Sequence, residues 1–329
     1  MLSIEPAPFF ELETSPSEIA ATSQLRPRVV VLLAAFNGSR WIREQMESIL
    51  AQEGVDLRIV VRDDSSTDDT RWELARFAHD SRIKVVTAPA WGGSAANNFL
   101  TLIVENAAGT CNFVAFADQD DVWDQDKLAR ACRMLTASPS AGYSSATIAA
   151  WANGRERLVK TSGAPTSSDF LLEGAGQGCT FVLTAEFYER VRRFLATHHD
   201  LTVQLHYHDW LVYALARSWG LEWCFDPEPS MRYRQHSGND TGAKGTLGGI
   251  ARRLSLIRHG WYRNQLRAIA GLCQAAAPAN PTVLAWLQHF SRPKDWRRRF
   301  KIVRFFLCGG RRGTRDNLVA VFAALCGWI

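Results

Sequence analysis

Hydrophobic positions in the first third of the chain come in short, unbroken blocks. Residues 28 to 36, RVVVLLAAF, hold no charge after Arg28 and are rich in β-branched and aliphatic types. That is the composition of a strand buried on both faces, since a half-exposed strand would alternate. Asn37-Gly38-Ser39 ends the block, and Ser39 is placed to cap a helix carrying Trp41, Ile42, Met46, Ile49 and Leu50. LRIVVRD (57 to 63) is a second strand, followed by the polar turn DDSSTDDT and a helix from Asp68 or Asp69 that carries Trp72, Leu74, Ala75 and Phe77. IKVVTA (83 to 88) is a third, leading through a Gly-rich turn to a helix from about Ser94 to Ala107. CNFVAFAD (111 to 118) is the fourth.

Strand and helix alternating in this way predict an α/β fold, a mainly parallel central sheet flanked by helices. Ligands of such sheets sit beyond the carboxyl ends of the strands. The polar residues fall there: Asn37 after the first strand, Asp63 and Asp64 after the second, Asp118 to Asp121 after the fourth. The second half is less regular. GYSSATIAAW (142 to 151) reads as a strand, GAGQGCTFVLT (174 to 184) as a flexible Gly-rich loop over a site entering a strand, and 185 to 196 as a helix. HYHDWLVYALARSWG (206 to 220) has a broad apolar helical face, and LEWCF and SMRYRQH read as two short strands. No repeat or low-complexity tract is present.

At 329 residues the chain can bury a large core, as one domain with an appendage or as two. Seven cysteines, with no C-x-x-C pair and no histidine at ligand spacing, fit a reduced intracellular protein better than a disulfide scaffold or a zinc site. Residues 1–26 read as a loose leader without the basic start and apolar centre of a signal peptide. The longest apolar run, Leu318 to Ile329, is too short for a membrane span. Net charge is +5, but from Ile250 onward fifteen Lys or Arg face only Asp295 and Asp316, so an acidic body carries a basic tail.

Neither G-x-G-x-x-G after the first strand nor G-x-x-x-x-G-K-[ST] occurs, so a dinucleotide fold and a P-loop are unsupported. FVAFADQDDVWD (113 to 124) crowds carboxylates that resist ionising together. An EF-hand loop starting at Asp118 fails, with Val122, Trp123 and Ala129 at positions needing an oxygen ligand, Gly and Glu. A solvated acidic turn is the bland alternative. Asp118 and Asp120, one residue apart at a strand end, instead suit one hard divalent cation shared with phosphate oxygens.

Three ordered stretches, AAFNGSRWIREQMESILAQ, IVVRDDSSTDDT and FADQDDVWDQDKL, resemble the nucleotide-binding half of family two glycosyltransferases of the A-type fold. They are most similar to the bacterial rhamnosyltransferase-like branch of surface polysaccharide (lipopolysaccharide) synthesis, over roughly residues 28 to 240. The resemblance implies Ala34 and Phe36 beside the nucleotide base, Asp64 on its edge and Asp63 as a further partner. It implies Asp118 toward the donor, Asp120 on Mg²⁺ or Mn²⁺, and Asp121 as a helper or helix-entry residue. The family's acidic pair opening a helix matches His208-Asp209-Trp210, with His in place of Glu; Asp209 becomes the base, while His208 tunes it, contacts acceptor or packs. RYRQHSGND implies Arg234 at the phosphates and His236 on the metal.

The expected enzyme is an inverting, metal-dependent hexosyltransferase, because a retaining scheme lacks a second nucleophile. The donor is a nucleoside-diphosphate sugar, dTDP-rhamnose first and a UDP-sugar second, and the acceptor a saccharide or a lipid-linked one. The expected organisation is a transferase domain over 27–245 and a basic amphipathic helical extension over 246–329. Its mixed Arg, Lys, Trp, Phe and Leu content suits an anionic membrane surface, placing the protein in the cytoplasm, peripheral on the inner face of the cell membrane. No nucleic-acid module is visible. The competing class is a non-catalytic membrane- or nucleic-acid-binding protein keeping the fold. Joint retention of Asp64, Asp118, Asp120 and Asp209 argues against it. A phosphohydrolase would want an aspartate after the first strand, where Asn37 stands.

Overall fold

The computed structural model describes residues 26–160, 164–202, 205–236, 255–290 and 295–329. The first half runs β1 (Arg28–Ala35), α1 (Ile42–Leu50), β2 (Asp56–Asp63), α2 (Thr70–Ala75), β3 (Ile83–Thr87), α3 (Ala95–Glu105), β4 (Phe113–Asp118), β5 (Val122–Trp123) and α4 (Lys127–Thr136). Then come β6 (Ser140–Trp151), β7 (Glu156–Val159), β8 (Val182–Thr184), α5 (Ala185–Thr197), α6 (His199–Thr202), α7 (His208–Ser218) and β9 (Glu222–Gln235). Helices that follow include α8 (Trp261–Ala276), α9 (Pro281–Phe290), α10 (Trp296–Leu307) and α11 (Thr314–Leu325).

All nine strands join one sheet in the order β3-β2-β1-β4-β8-β6-β9-β5, with β7 on β6. β1, β2, β3 and β4 pair in parallel, as do β6 and β9, while β8 runs antiparallel to both β4 and β6. The apolar blocks feed two cores because successive side chains alternate across a strand. Val29, Val31, Leu33 and Ala35 of β1 meet α1 and α4 on one face. Leu32 and Ala34 meet α3 and α7 on the other. Both faces are therefore covered, and this is why these strands read as unbroken apolar runs.

Three local expectations are corrected. Ser39 does not cap α1: Trp41 occupies that position without a side-chain bond, and the Ser39 N–H donates to Asp68 Oδ2 at 3.1 Å. LEWCF and SMRYRQH belong to the single strand β9. Ser145 pairs with Asp226 and Ala146 with Pro229, so Pro227 and Glu228 bulge out and the ladder resumes beyond them. The Gly-rich stretch is no loose loop, since Ala175, Cys179 and Phe181 are buried and residues 178–180 form a 3₁₀ turn.

The basic extension shares a core with the α/β fold that precedes it. Leu266, Ile269, Trp286, Ile302, Phe306 and Ala323 belong to the same apolar cluster as Phe99, Leu183 and Leu211. The expected leader (but for Arg26) and the boundary between 245 and 246 lie outside the described residues. Among the described residues no helix is long and apolar enough to cross a membrane. All seven cysteines are free.

Candidate active site

Sheet register sets the site. At the carboxyl edge Ala35 pairs with Asp63 and Ala34 with Asp118, so the first, second and fourth strands deliver their polar ends side by side. Asp63 is fully buried and takes the Arg71 Nε–H at 2.8 Å, and its carboxylate also accepts from Ser66 N. Asp64 is nearly as buried; its Oδ1 accepts from Arg62 Nη1 at 2.9 Å and its Oδ2 from Gly92 N at 3.0 Å. Asn98 Oδ1 holds the same Arg62 nitrogen at 2.7 Å. Asp64 is thus oriented from below by a cation and from above by the 91–93 turn. Phe36 and Trp91, both exposed, lie near-parallel with centroids 5.7 Å apart. The connecting backbone is strained: Asn37 has φ 47° and Ser65 φ 65°. Asn37 compensates by accepting from Thr67 N at 2.9 Å and donating its own N–H to Ser66 Oγ at 2.8 Å.

The acidic turn is clipped to β1. Gln119 Oε1 accepts from Phe36 N at 2.8 Å while its Nε2 donates to Phe36 O at 2.9 Å. A Cβ on Gly38 would stand 2.1 Å from that amide oxygen, so any larger residue would displace the Gln119 clip. Asp120 and His236 come together, Oδ2 to Nε2 at 2.6 Å, and the imidazole stacks on Trp41 with centroids 4.0 Å apart. Arg234 donates through Nε to Asp120 O at 2.9 Å and through Nη2 to Glu44 Oε2 at 2.6 Å. Asp121 turns inward and is fully buried. Burial, then the charges of Asp120 and Asp118, push its carboxyl well above the usual carboxylate range and hold it toward its neutral form. That relieves the crowding, since one of the three carboxyls is withdrawn into the interior.

A carboxylate and an imidazole meeting at 2.6 Å, with Asp118 at the adjoining strand end, make a donor set that suits a divalent cation. Asp118, Asp121 and Cys179 also converge, with ligand atoms within 4.8 Å of one another. This trio is the poorer fit: burial pushes the Cys179 thiol well above its ordinary value, and a thiol suits softer ions.

Asp209 is the second residue of α7. Its Oδ1 accepts the Trp210 N–H at 2.7 Å. Burial raises its carboxyl to about 6, against the opposing pull of the Trp210 and Gly178 N–H groups. His208 packs. Its ring stacks on Phe99 at 3.9 Å and meets Phe116 edge-on, Nε2 has no partner among the described residues, and burial depresses its basicity to about 3. Consecutive residues tie the start of α7 to the acidic turn. A Cβ on Gly178 would stand 3.0 Å from Asp209 Cβ, and the neighbouring Cys179 thiol bonds Asp121.

The structure therefore brings Ala34, Phe36, Asp64, Asp118, Asp120, Arg234 and His236 to one edge, with Asp209 joined to it through Gly178 and Cys179. Asp63 is spent on Arg71 and the turn. Sequence reasoning missed Arg62, Trp91, Trp41 and Gln119. Gln119 had a signal in its place between two motif aspartates; Trp91 and Trp41 read only as apolar residues near turns.

A family model described as glycosyl transferase family 2 matches residues 30–168. The chain is similar to the dTDP-rhamnosyl transferase RfbG of Shigella flexneri, 35% identical over 240 residues that cover 72% of this chain and 83% of that protein. It is also similar to the UDP-Glc:alpha-D-GlcNAc-diphosphoundecaprenol beta-1,3-glucosyltransferase WfgD of Escherichia coli, 33% identical over 108 residues, 32% of this chain and 40% of that one. Among solved structures, S. aureus TarS 1-349 in complex with UDP-GlcNAc superposes with a TM-score of 0.54 at 15% identity, covering 92% of this chain and 89% of that one. At that identity the likeness speaks for the fold, an A-type glycosyltransferase fold with a C-terminal helical region.

Proposed function

The chain belongs to glycosyl transferase family 2, and from that premise we propose that it moves rhamnose from dTDP-rhamnose to a saccharide or lipid-linked acceptor in surface polysaccharide synthesis, with inversion at the anomeric carbon. That it is a glycosyltransferase follows from the family; the donor sugar is inferred from the name of a relative matched over most of its length. The observation that carries the chemistry is the single edge holding an oriented Asp64 and a paired Asp120 and His236, joined through Gly178 and Cys179 to a carboxyl at Asp209 raised to about 6.

Phe36 and Trp91 hold the nucleobase against Ala34, and Asp64 addresses its edge. Asp118 faces the donor sugar, and Arg234, now on Glu44, stands beside the diphosphate end. Asp120 and His236 would hold Mg²⁺ or Mn²⁺, which when bound supplies positive charge to the leaving diphosphate. Asp209 takes the proton of the acceptor hydroxyl as that oxygen attacks, so one displacement inverts the centre. An acid raised to about 6 is charged at neutral pH yet basic enough to accept that proton.

The organisation proposed is a leader to residue 26, a transferase domain over 27–245 and the basic extension over 246–329, working peripherally on the cytoplasmic face of the membrane. Support comes from α10 and α11, where Trp296, Phe300 and Leu307 on one helix and Leu318, Phe322 and Leu325 on the other are exposed in stripes among Arg297, Lys301, Arg304 and Arg315. The test is nucleoside diphosphate release from a panel of dTDP- and UDP-sugars with Mg²⁺ or Mn²⁺. Rhamnose-dependent release lost in Asp120→Asn is expected; release unchanged by that substitution would remove the site assignment.

A further inference from the structure

The segment joining α10 to α11, Gly309 to Gly313, reaches across the molecule into the floor of the catalytic helix. Thr166 Oγ1 donates to the carbonyl oxygens of Gly309 at 2.8 Å and Gly310 at 2.7 Å, and Ser168 Oγ bonds the first of these too. The next two residues are arginines pointing inward. The Arg312 side chain is 2% exposed. Its Nη1 donates to Asp169 Oδ2 at 2.9 Å, its Nη2 to Gly174 O, and its backbone N–H to Glu173 Oε1 at 2.5 Å. The guanidinium lies over the rings of Tyr213 and Phe225, 5.3 and 4.9 Å from their centroids. Arg311 Nη2 donates to Glu173 Oε2 at 3.2 Å, and Arg217 Nη1 donates to Asp169 Oδ1 at 3.2 Å. Two buried carboxylates from residues 169–173 are thus met by three arginines, two of them from the extension.

From this cluster two short legs run to Asp209. In one, the 3₁₀ turn opened by Asp169 presents Phe170 O to Trp210 Nε1 at 2.9 Å, fixing the residue after the base. In the other, Gly174 packs so tightly on Trp210 that an added Cβ would stand 3.3 Å from its Cα. Four residues later Gly178 abuts Asp209 and gives it an N–H. The segment 166–178 is therefore held at one end by the Gly309-to-Arg312 tooth and at the other holds the base.

We infer that Arg312, supported by Arg311, is a positioning residue for Asp209, so that the C-terminal extension completes the active site. The inference rests on the reading of Asp209 as the base. A guanidinium joining Asp169 to a peptide carbonyl, while the backbone N–H of the same residue holds Glu173, is poorly replaced by an amine, which offers no planar fork. A tether, by contrast, needs only the charge.

The test compares wild type, Arg312→Lys, Arg312→Gln and Asp209→Asn in the full-length chain, normalised to active sites titrated with nucleoside diphosphate. Expected for Arg312→Gln are unchanged nucleotide affinity, kcat lower by about 10- to 100-fold, as loss of a near-attack geometry produces, and an acid limb of the pH profile displaced upward as the Gly178 N–H is lost. Arg312→Lys falls between. A lower melting temperature with wild-type kcat per site and an unmoved limb overturns the inference, because that is all a structural ion pair would do. Should Arg312→Gln not fold, Thr166→Val, which removes the hydroxyl that donates to Gly309 and Gly310 and accepts from the Asp169 N–H without touching a charge, carries the same readouts. Wild-type turnover in Asp209→Asn would instead overturn the base assignment, and this inference with it.

Discussion

Asp209→Asn should make the protein more stable while disabling it. The Asp209 carboxyl moves from 3.8 in a free chain to about 6 in the fold because burial penalises its charge. Each unit of such a shift is worth about 1.4 kcal/mol, so the folded state gives up on the order of 3 kcal/mol when the group is ionised, and nearer ~1–2 kcal/mol with the screening its partly exposed edge allows. An Asn amide keeps the oxygen that accepts the Trp210 N–H and carries no charge. The direction with pH follows from linkage. With the folded value raised, the proton stabilises the fold below the unfolded value, and this stabilisation is lost as pH rises through about 6. The advantage of Asn is therefore full at pH 7.5 and shrinks as pH falls toward 3.8. Denaturant unfolding of both proteins at pH 7.5 and 4.5 measures it. An Asn variant no more stable at pH 7.5, or an advantage equal at both pH values, would refute the reasoning.

Two further outcomes follow from the same geometry. Trp91→Ala removes the face stacked near Phe36 and should raise the donor KM several-fold at unchanged kcat, as expected when about 0.5–1.5 kcal/mol of aromatic contact is lost; an unaltered KM would exclude Trp91 from the base slot. Replacing the exposed Trp296 and Phe300 with serine should weaken binding to anionic liposomes at low salt while leaving turnover on a soluble acceptor intact, and undiminished liposome binding would remove the lipid surface as the partner of α10.

What could be read from the sequence tracks the physics of burial. β1, β2 and β4 were legible because strands covered on both faces need unbroken apolar runs, and the acidic turn because carboxylates at strand ends are costly without a purpose. β9 was not: Pro227 and Pro229 look like a break, and only the ladder with β6 reveals a bulge that absorbs them. In the extension the sequence shows helices but not which of their faces meet the body. Its apolar residues and arginines look alike in sequence, yet Ile302 and Phe306 enter the common core while Trp296 and Phe300 stay outside, and Arg312 is buried against Asp169 while Arg304 faces solvent. Which side of a helix faces the body depends on contacts far apart in the chain. Of the three roles the sequence leaves open for His208, its stacking on Phe99 and its edge contact with Phe116 support packing.

The central claim is that Asp209 is the base. The pH dependence of kcat/KM for nucleoside diphosphate release, in wild type and in Asp209→Asn, tests it most directly. The account predicts a wild-type limb rising through about pH 6 and, in the variant, a rate lower by about 10²- to 10⁴-fold with that limb gone. A variant that keeps the rate, or keeps the limb, would contradict it.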